Sequence, residues 1–281
     1  MAPSIDRCTT LRYRRPMRLR ARRLLSASGA VLFALAVGGA AAADAPASPP
    51  VLRVEVLETY PHDPEAFTQG LLLEGGKLYE STGLYGRSSL REVELATGAV
   101  LRRVDLPKSL FGEGLALAFG KLVQLTWREG IALSYDFPTL AKTGEFTYGG
   151  DGWGLCFDGT QFIQSDGTQR LIFRDPTSFA ITRQLAVTLE GKPLMSINEL
   201  ECVGDSVYAN VWTTDRIVQI SKLNGGVRAV VDAAGLLPAS DRKTLAREAI
   251  LNGIAYDPAN ETFLITGKLW PKLFRVRFVP K

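Results

Sequence analysis

A single all-β domain, a five-bladed β-propeller closed by an N-terminal strand, is the fold that three features of the sequence predict. The first is patterning. Over residues 51–281, runs of β-branched and aromatic residues alternate with Gly, Asp and Asn turns, with little helical periodicity. The chain of 281 residues is 46% hydrophobic and 22% charged, a globular profile that excludes disorder. The second feature is a repeat. Residues 69–83 align without gaps on residues 113–127, a shift of 44, and related segments begin at Trp153, Asn198 and Asn252, at intervals of 40, 45 and 54. The third is strand count. Each copy starts on a polar or aromatic residue, crosses a tight turn and ends in a second apolar run, and a further strand pair follows, as in residues 90–98, 132–140, 171–179 and 217–225. Four strands in about 40 to 50 residues make one propeller blade.

The elements follow in order. Residues 1–43 hold eight of the 33 basic residues and one acid, Asp6, leaving 25 bases against 28 acids in the remainder. The net charge of +4 therefore belongs to the leader and does not point to nucleic acid. An arginine-rich start, an apolar stretch over 24–37 and the small residues from Gly38 to Ala43 read as a cleaved signal peptide. The apolar stretch is broken by Ser26, Ser28 and Gly29 and is shorter than the roughly 20 residues a bilayer span needs, so no stable membrane association is expected after cleavage. Arg14-Arg15 and Arg22-Arg23 leave both the general secretory (Sec) and the twin-arginine (Tat) route open. Residues 44–50 read as a linker, 51–281 as one propeller domain, and the expected destination is periplasmic or secreted.

A spare strand over 52–59 precedes the first copy, whereas the fifth copy has three strands, so the spare strand is expected to become the outer strand of blade five. An unpaired edge there would invite aggregation. Residues 240–249 account for the long last interval and predict a short helix on a loop, remote from the chemistry. Cys156 and Cys202 sit on successive copies in a compartment that permits disulfides. Packed sheets stand about 10 Å apart while a disulfide needs Cα atoms within about 7 Å, so buried free thiols are expected. Only near the axis does the gap narrow.

The innermost strand of each blade lines the central channel, so the first residue of each copy, Gln69, Glu113, Trp153, Asn198 or Asn252, falls at one mouth. A hairpin returns its chain to the end where it began, which brings Trp127, Trp212 and Lys268 to the same mouth. Taken singly, each has a plain structural reading as a packing indole, turn residue or exposed amine. Jointly they form a polar ring flanked by indoles, the signature of a ligand site. With His62 the only histidine, a Ser-His-Asp triad is not expected, and a zinc site would have to use carboxylates or the two cysteines, which lie on different blades at unsuitable spacing. No phosphate-binding glycine loop is present. One carboxylate shuttling protons, helped by amides and a lysine, remains.

The residues Phe67, Gln69, Gly70 and Leu71, then Phe111, Glu113, Gly114 and Leu115, then Asp151, Trp153 and Gly154, then Asn198, Glu199 and Glu201, then Trp212, Asn252, Lys268 and Trp270 occur in an order that resembles the plant-type glutaminyl-peptide cyclotransferases, or glutaminyl cyclases, which also occur in bacteria. The resemblance spans residues 51–281. It implies a five-bladed propeller that converts an N-terminal glutamine of peptides or proteins to pyroglutamate and releases ammonia. It further implies no cofactor or metal, Glu113 as the catalytic acid/base, and Gln69, Asn198, Lys268, Trp127, Trp153 and Trp212 around it, with Phe67 and Phe111 lining the pocket. Asn198 and Lys268 would assist catalysis, Asn252 would join the substrate contacts, Lys268 would hold Glu113 ionised, and the enzyme would be a monomer. A calcium-dependent propeller lactonase, with Glu113, Asn198 and Asn252 as ligands, and a non-catalytic peptide-binding propeller are the competing readings.

Overall fold

In the computed structural model, which describes residues 48–281, the chain is all-β apart from one helical turn. Strand β1 (Val51–Pro61) comes first. A four-stranded antiparallel sheet follows, made of β2 (Thr68–Glu74), β3 (Lys77–Thr82), β4 (Ser89–Glu94) and β5 (Val100–Asp105). The second comprises β6 (Gly112–Ala118), β7 (Lys121–Thr126), β8 (Ile131–Asp136) and β9 (Lys142–Thr147). The third comprises β10 (Leu155–Phe157), β11 (Phe162–Ser165), β12 (Arg170–Arg174) and β13 (Ile181–Ala186), after which β14 (Thr188–Leu189) and β15 (Lys192–Pro193) form a small hairpin. A fourth run is β16 (Ile197–Val203), β17 (Ser206–Val211), β18 (Arg216–Ser221) and β19 (Val227–Asp232); a fifth is β20 (Leu251–Asp257), β21 (Thr262–Gly267) and β22 (Lys272–Pro280).

β1 lies against β22 in antiparallel register from Leu52↔Pro280 to Pro61↔Lys272. It thereby becomes the fourth strand of the last run, as the spare strand was expected to do. Its first three residues also pair in parallel with β19, joining the fourth and fifth runs into one eight-stranded sheet. The innermost strands are neighbours in the order β2, β6, β10, β16, β20, and β20 returns to touch β2. The arrangement is propeller-like.

The glycine after the first residue of a copy has a physical cause. A Cβ at Gly70, Gly114 or Gly154 would collide with Leu115 N, Leu155 N or Asn198 O of the adjacent sheet, so only hydrogen fits. Away from the axis, Leu, Ile, Val and Phe side chains fill the wedges between sheets. One such core contains Leu90, Leu115, Leu122 and Leu133; another contains Ile163, Phe173, Leu200, Val207 and Ile220.

Two expectations are corrected. Cys156 and Cys202 form a disulfide with Cα atoms 5.5 Å apart. Gly154 brings β10 and β16 into backbone contact beside them, so the sheets there are far closer than an ordinary face-to-face pair. Closing a loop with a sequence separation of 46 stabilises the fold by about 4 kcal/mol in chain-entropy terms. The helix expected over 240–249 shrinks to α1 (Ala239–Arg242). Beyond it the chain makes turns, with Leu245 N donating to Arg242 O and Ala249 N to Ala246 O, because ten residues are too few to repay helix nucleation. The segment is anchored instead by side chains: Arg242 reaches Asp215 at 2.9 Å and Lys272 reaches Asp241 at 2.7 Å. The leader and linker, apart from residues 48–50, lie outside the described residues.

Candidate active site

Each inner strand carries the same irregularity, and the site is built on it. Thr68 pairs with Thr82 but Gly70 with Ser81; Gly112 pairs with Thr126 but Leu115 with Gln124. The same extra residue appears between Ile197 and Leu200 and between Leu251 and Ile254. In β10 the pairing resumes at Leu155↔Gln164, while Trp153 N donates to Ser165 O one step earlier. These are β-bulges, which re-aim side chains and free backbone groups. Gln69, Glu113, Trp153, Asn198 and Asn252 all fall within them.

The returning strands are pinned by a second repeated device. The backbone N–H of Gly83, Trp127, Trp212 and Lys268 donates to the carbonyl of Phe67, Phe111, Ser196 and Ile250, at 2.8, 2.9, 2.8 and 2.9 Å. Trp127, Trp212 and Lys268 thus occupy equivalent places at one mouth. The next residue at three of the four places, Leu84, Thr213 and Leu269, has a φ of 84°, 68° and 59°, a strained turn for non-glycine residues.

Together these devices enclose a cavity of about 790 Å³ whose lining includes Phe67, Gln69, Phe111, Glu113, Trp127, Trp153, Asn198, Trp212 and Lys268. Nine of the ten residues named from the sequence meet there. Asn252 does not line the cavity: it is wholly buried behind Gln69, and its Nδ2 donates to Thr68 O at 2.9 Å and to Gln69 Oε1 at 3.3 Å. Gln69 in turn donates from Nε2 to Glu113 Oε1 at 2.9 Å. A chain of amides therefore leads to the carboxylate, and Asn252 stands one residue removed from the cavity.

The aromatic walls interlock. Phe111 meets Phe67 edge-on at 6.1 Å and Trp127 at 5.5 Å, and Trp153 stands at 86° to Trp212 with centroids 5.6 Å apart. Arg128 stacks on Trp127 at 3.8 Å, and Lys268 Nζ lies 4.7 Å from the Phe67 ring centre. Two polar atoms of lining residues, Trp153 Nε1 and Asn198 Oδ1, are buried without a partner. Such atoms are open to a bound ligand or a water.

Electrostatics set Glu113 apart from an ordinary carboxylate. Glu113 is only 4% exposed, and burial pushes its pKa well above the ordinary carboxylate range; Lys268 pulls the other way, but Asp151 and Glu129 add to the rise. The attraction of Lys268 favours the ionised carboxylate but desolvation outweighs it, so the net shift is upward, and no ion pair within 4.0 Å joins the two among the described residues. Burial also lowers the Lys268 amine to about 8, with Glu113 opposing the shift.

Further lining residues escaped the repeat. Arg128, Leu84 and Thr213 directly follow return positions, and Asp151 lies two residues before the ring position Trp153, so the alignment itself held the signal. Arg247 and Glu248 come from the insert, which was expected to stay clear of the site and instead forms part of its wall, and Ile250 directly follows it.

A family model described as Glutamine cyclotransferase matches residues 30–278. A glutaminyl-peptide cyclotransferase of Arabidopsis thaliana is 40% identical over 231 residues, covering 80% of this chain and 71% of that protein. The crystal structure of the Myxococcus xanthus glutaminyl cyclase superposes with a TM-score of 0.78 at 36% identity, over 83% of this chain and 99% of the other. With a family model spanning most of its length and a relative of this similarity, the chain belongs to the glutamine cyclotransferase family.

Proposed function

We propose that the chain is a glutaminyl-peptide cyclotransferase, a five-bladed propeller closed by β1, that cyclises the N-terminal glutamine of peptides or proteins to pyroglutamate with release of ammonia. The observation that carries the reading is a solitary buried carboxylate, Glu113, held by Gln69 at 2.9 Å in an indole-walled cavity. The blade count draws support from the five inner strands and from the return of β20 to β2.

The reaction forms a bond between the substrate α-nitrogen and its own γ-carboxamide carbon, and breaks the bond from that carbon to the amide nitrogen. The amine must lose a proton and the departing nitrogen must gain one, and a group whose pKa lies closer to neutrality than an ordinary carboxylate serves both transfers. Glu113 is pushed in that direction. Asn198, with Oδ1 unpartnered, can pair edge to edge with the carboxamide, accepting from its N–H and donating to its oxygen. This reads a carboxamide and rejects a carboxylate, which offers no N–H. Lys268 supplies positive charge to the oxygen as it becomes an oxyanion, where loss of one donor costs roughly 3 to 4 kcal/mol in comparable sites. Trp127, Trp153 and Trp212 fold the substrate into its cyclic conformer and keep water out. Because the reaction is intramolecular, that shaping supplies much of the rate.

The leader over 1–43 supports export through a membrane and cleavage near Ala43, to a periplasmic or secreted monomer with no cofactor, and the Cys156–Cys202 disulfide suits an oxidising compartment. Ammonia release from a Gln-initiated dipeptide, with an Asn-initiated dipeptide as control, tests the function. Release from the first alone is expected; release from neither would remove the enzymatic reading.

A further inference from the structure

We infer that Glu199 is a positioning residue for this cyclisation, a carboxylate at the axis that locks the two strands carrying the amide chain to Glu113. The inference rests on the reading of the site given above. In four of the five copies the residue after the ring position is glycine, namely Gly70, Gly114, Gly154 and Gly253; in the fourth copy it is Glu199. The first three glycines press directly on a neighbouring backbone. Glu199 instead sends its side chain across to the inner strands of two other runs: Leu71 N donates to Oε1 at 3.3 Å and Ile254 N to Oε2 at 2.8 Å. Both N–H groups belong to bulged inner strands, where the ladder no longer uses every donor.

The two donors are placed for a purpose. Leu71 follows Gln69 by two residues on β2, and Ile254 follows Asn252 by two on β20. Asn252 donates to Gln69 and Gln69 to Glu113, so Glu199 clamps together the strands on which that relay depends. Asn210 adds a parallel bond, its Oδ1 accepting from Gly253 N at 3.0 Å. Glu199 has no exposure, and burial together with Glu201 raises its pKa well above the usual range, opposed by the two backbone bonds. A group so costly to bury persists where geometry requires it. A neutral filler could close the same gap without charge, but it would not accept two N–H bonds at once.

Glu199→Gln keeps size and shape but turns an NH₂ toward one of the two donors, and Glu199→Asp keeps the carboxyl group on a shorter arm. For Glu199→Gln the expected result is a cooperatively folded protein whose kcat on a Gln-initiated dipeptide falls at least tenfold while KM stays within twofold, since the indole walls are untouched but the carboxylate is misaligned. Glu199→Asp should recover part of the lost kcat. Native-state hydrogen exchange in the unmodified protein should place the Leu71 and Ile254 amides among the slow core amides. Unchanged kcat in Glu199→Gln, whatever its melting temperature, overturns the inference. Should both variants fail to fold, exchange of Leu71 and Ile254 at loop-like rates in the unmodified protein overturns it equally. If the unmodified protein releases no ammonia, the functional reading fails alone, and the exchange data together with a crystal structure of Glu199→Gln, in which the Gln69–Glu113 bond is expected to be broken, still judge the clamp.

Discussion

Two buried glutamates on adjacent sheets, Glu80 on β3 and Glu113 on β6, are equally hidden from water yet are driven in opposite directions. Glu80 accepts from His62 Nε2 at 3.0 Å and from Thr68 Oγ1 at 2.7 Å, with Arg91 3.9 Å away. Burial alone would raise it, but the facing cations and hydrogen bonds prevail and its pKa is lowered. His62 completes the set through Nδ1 on Trp270 O at 2.7 Å, and its own pKa is raised by Glu80 and these bonds in spite of burial. Glu113 has one amide on one oxygen and a lysine at a distance, and burial prevails. The difference separates charge that holds the fold from charge kept ready to exchange a proton.

The widest consequence is kinetic. Glu113→Gln preserves shape and the Gln69 bond, so kcat should fall by about a thousandfold, within the range for loss of a positioned acid/base, with no drop in melting temperature. Steady-state assays beside thermal melts measure both, and substantial retained turnover would dissolve the contrast. The mirror experiment is Glu80→Gln, which leaves Arg91 and His62 facing a neutral group. It should cost about 3 to 5 kcal/mol in chemical denaturation with kcat on the surviving folded fraction unaltered.

Next in size is Lys268→Met. The folded pKa of about 8 lies below the unfolded value of 10.5, so the amine penalises the fold at pH values below 8 and the penalty fades between 8 and 10.5. The variant should be more stable than the parent by on the order of 3 kcal/mol at pH 7, converge with it by pH 10.5, and be nearly inactive throughout. Smallest is the pH response of the paired set. Glu80, lowered in the fold, contributes stability above its unfolded value of 4.5 that disappears as pH falls through the folded value. His62, raised in the fold, contributes below 6.5 and its share disappears as pH rises through the folded value. Denaturant melts of His62→Gln should show the alkaline side of that window removed.

Much of this architecture was legible in the chain because repetition is a property of sequence. The ring positions from Gln69 to Asn252 and the return positions Trp127, Trp212 and Lys268 emerged from alignment alone, as did the role of β1. What stayed hidden depends on distances between sheets. The bulges that aim Glu113, the crossing of Glu199 and the Cys156–Cys202 bridge all follow from how closely inner strands converge, which composition and spacing do not encode. The wall contributed by Arg247 and Glu248 depends on how a non-repeating segment folds back, and an alignment of copies has nothing to say about it. The pKa of Glu113 is a balance between desolvation and a remote lysine, and its sign requires depth as well as neighbours.

The pairing of β1 with β22 sets a timetable for maturation. Synthesis proceeds from the N-terminus, so the segment that emerges first must wait for the segment that emerges last, and the edges of β19 and β22 stay open until then. The fold locks in one late event. A polypeptide lacking β22 would deny β1 its antiparallel partner and leave the circle unfastened, with bare strand edges of the kind that chaperones cover.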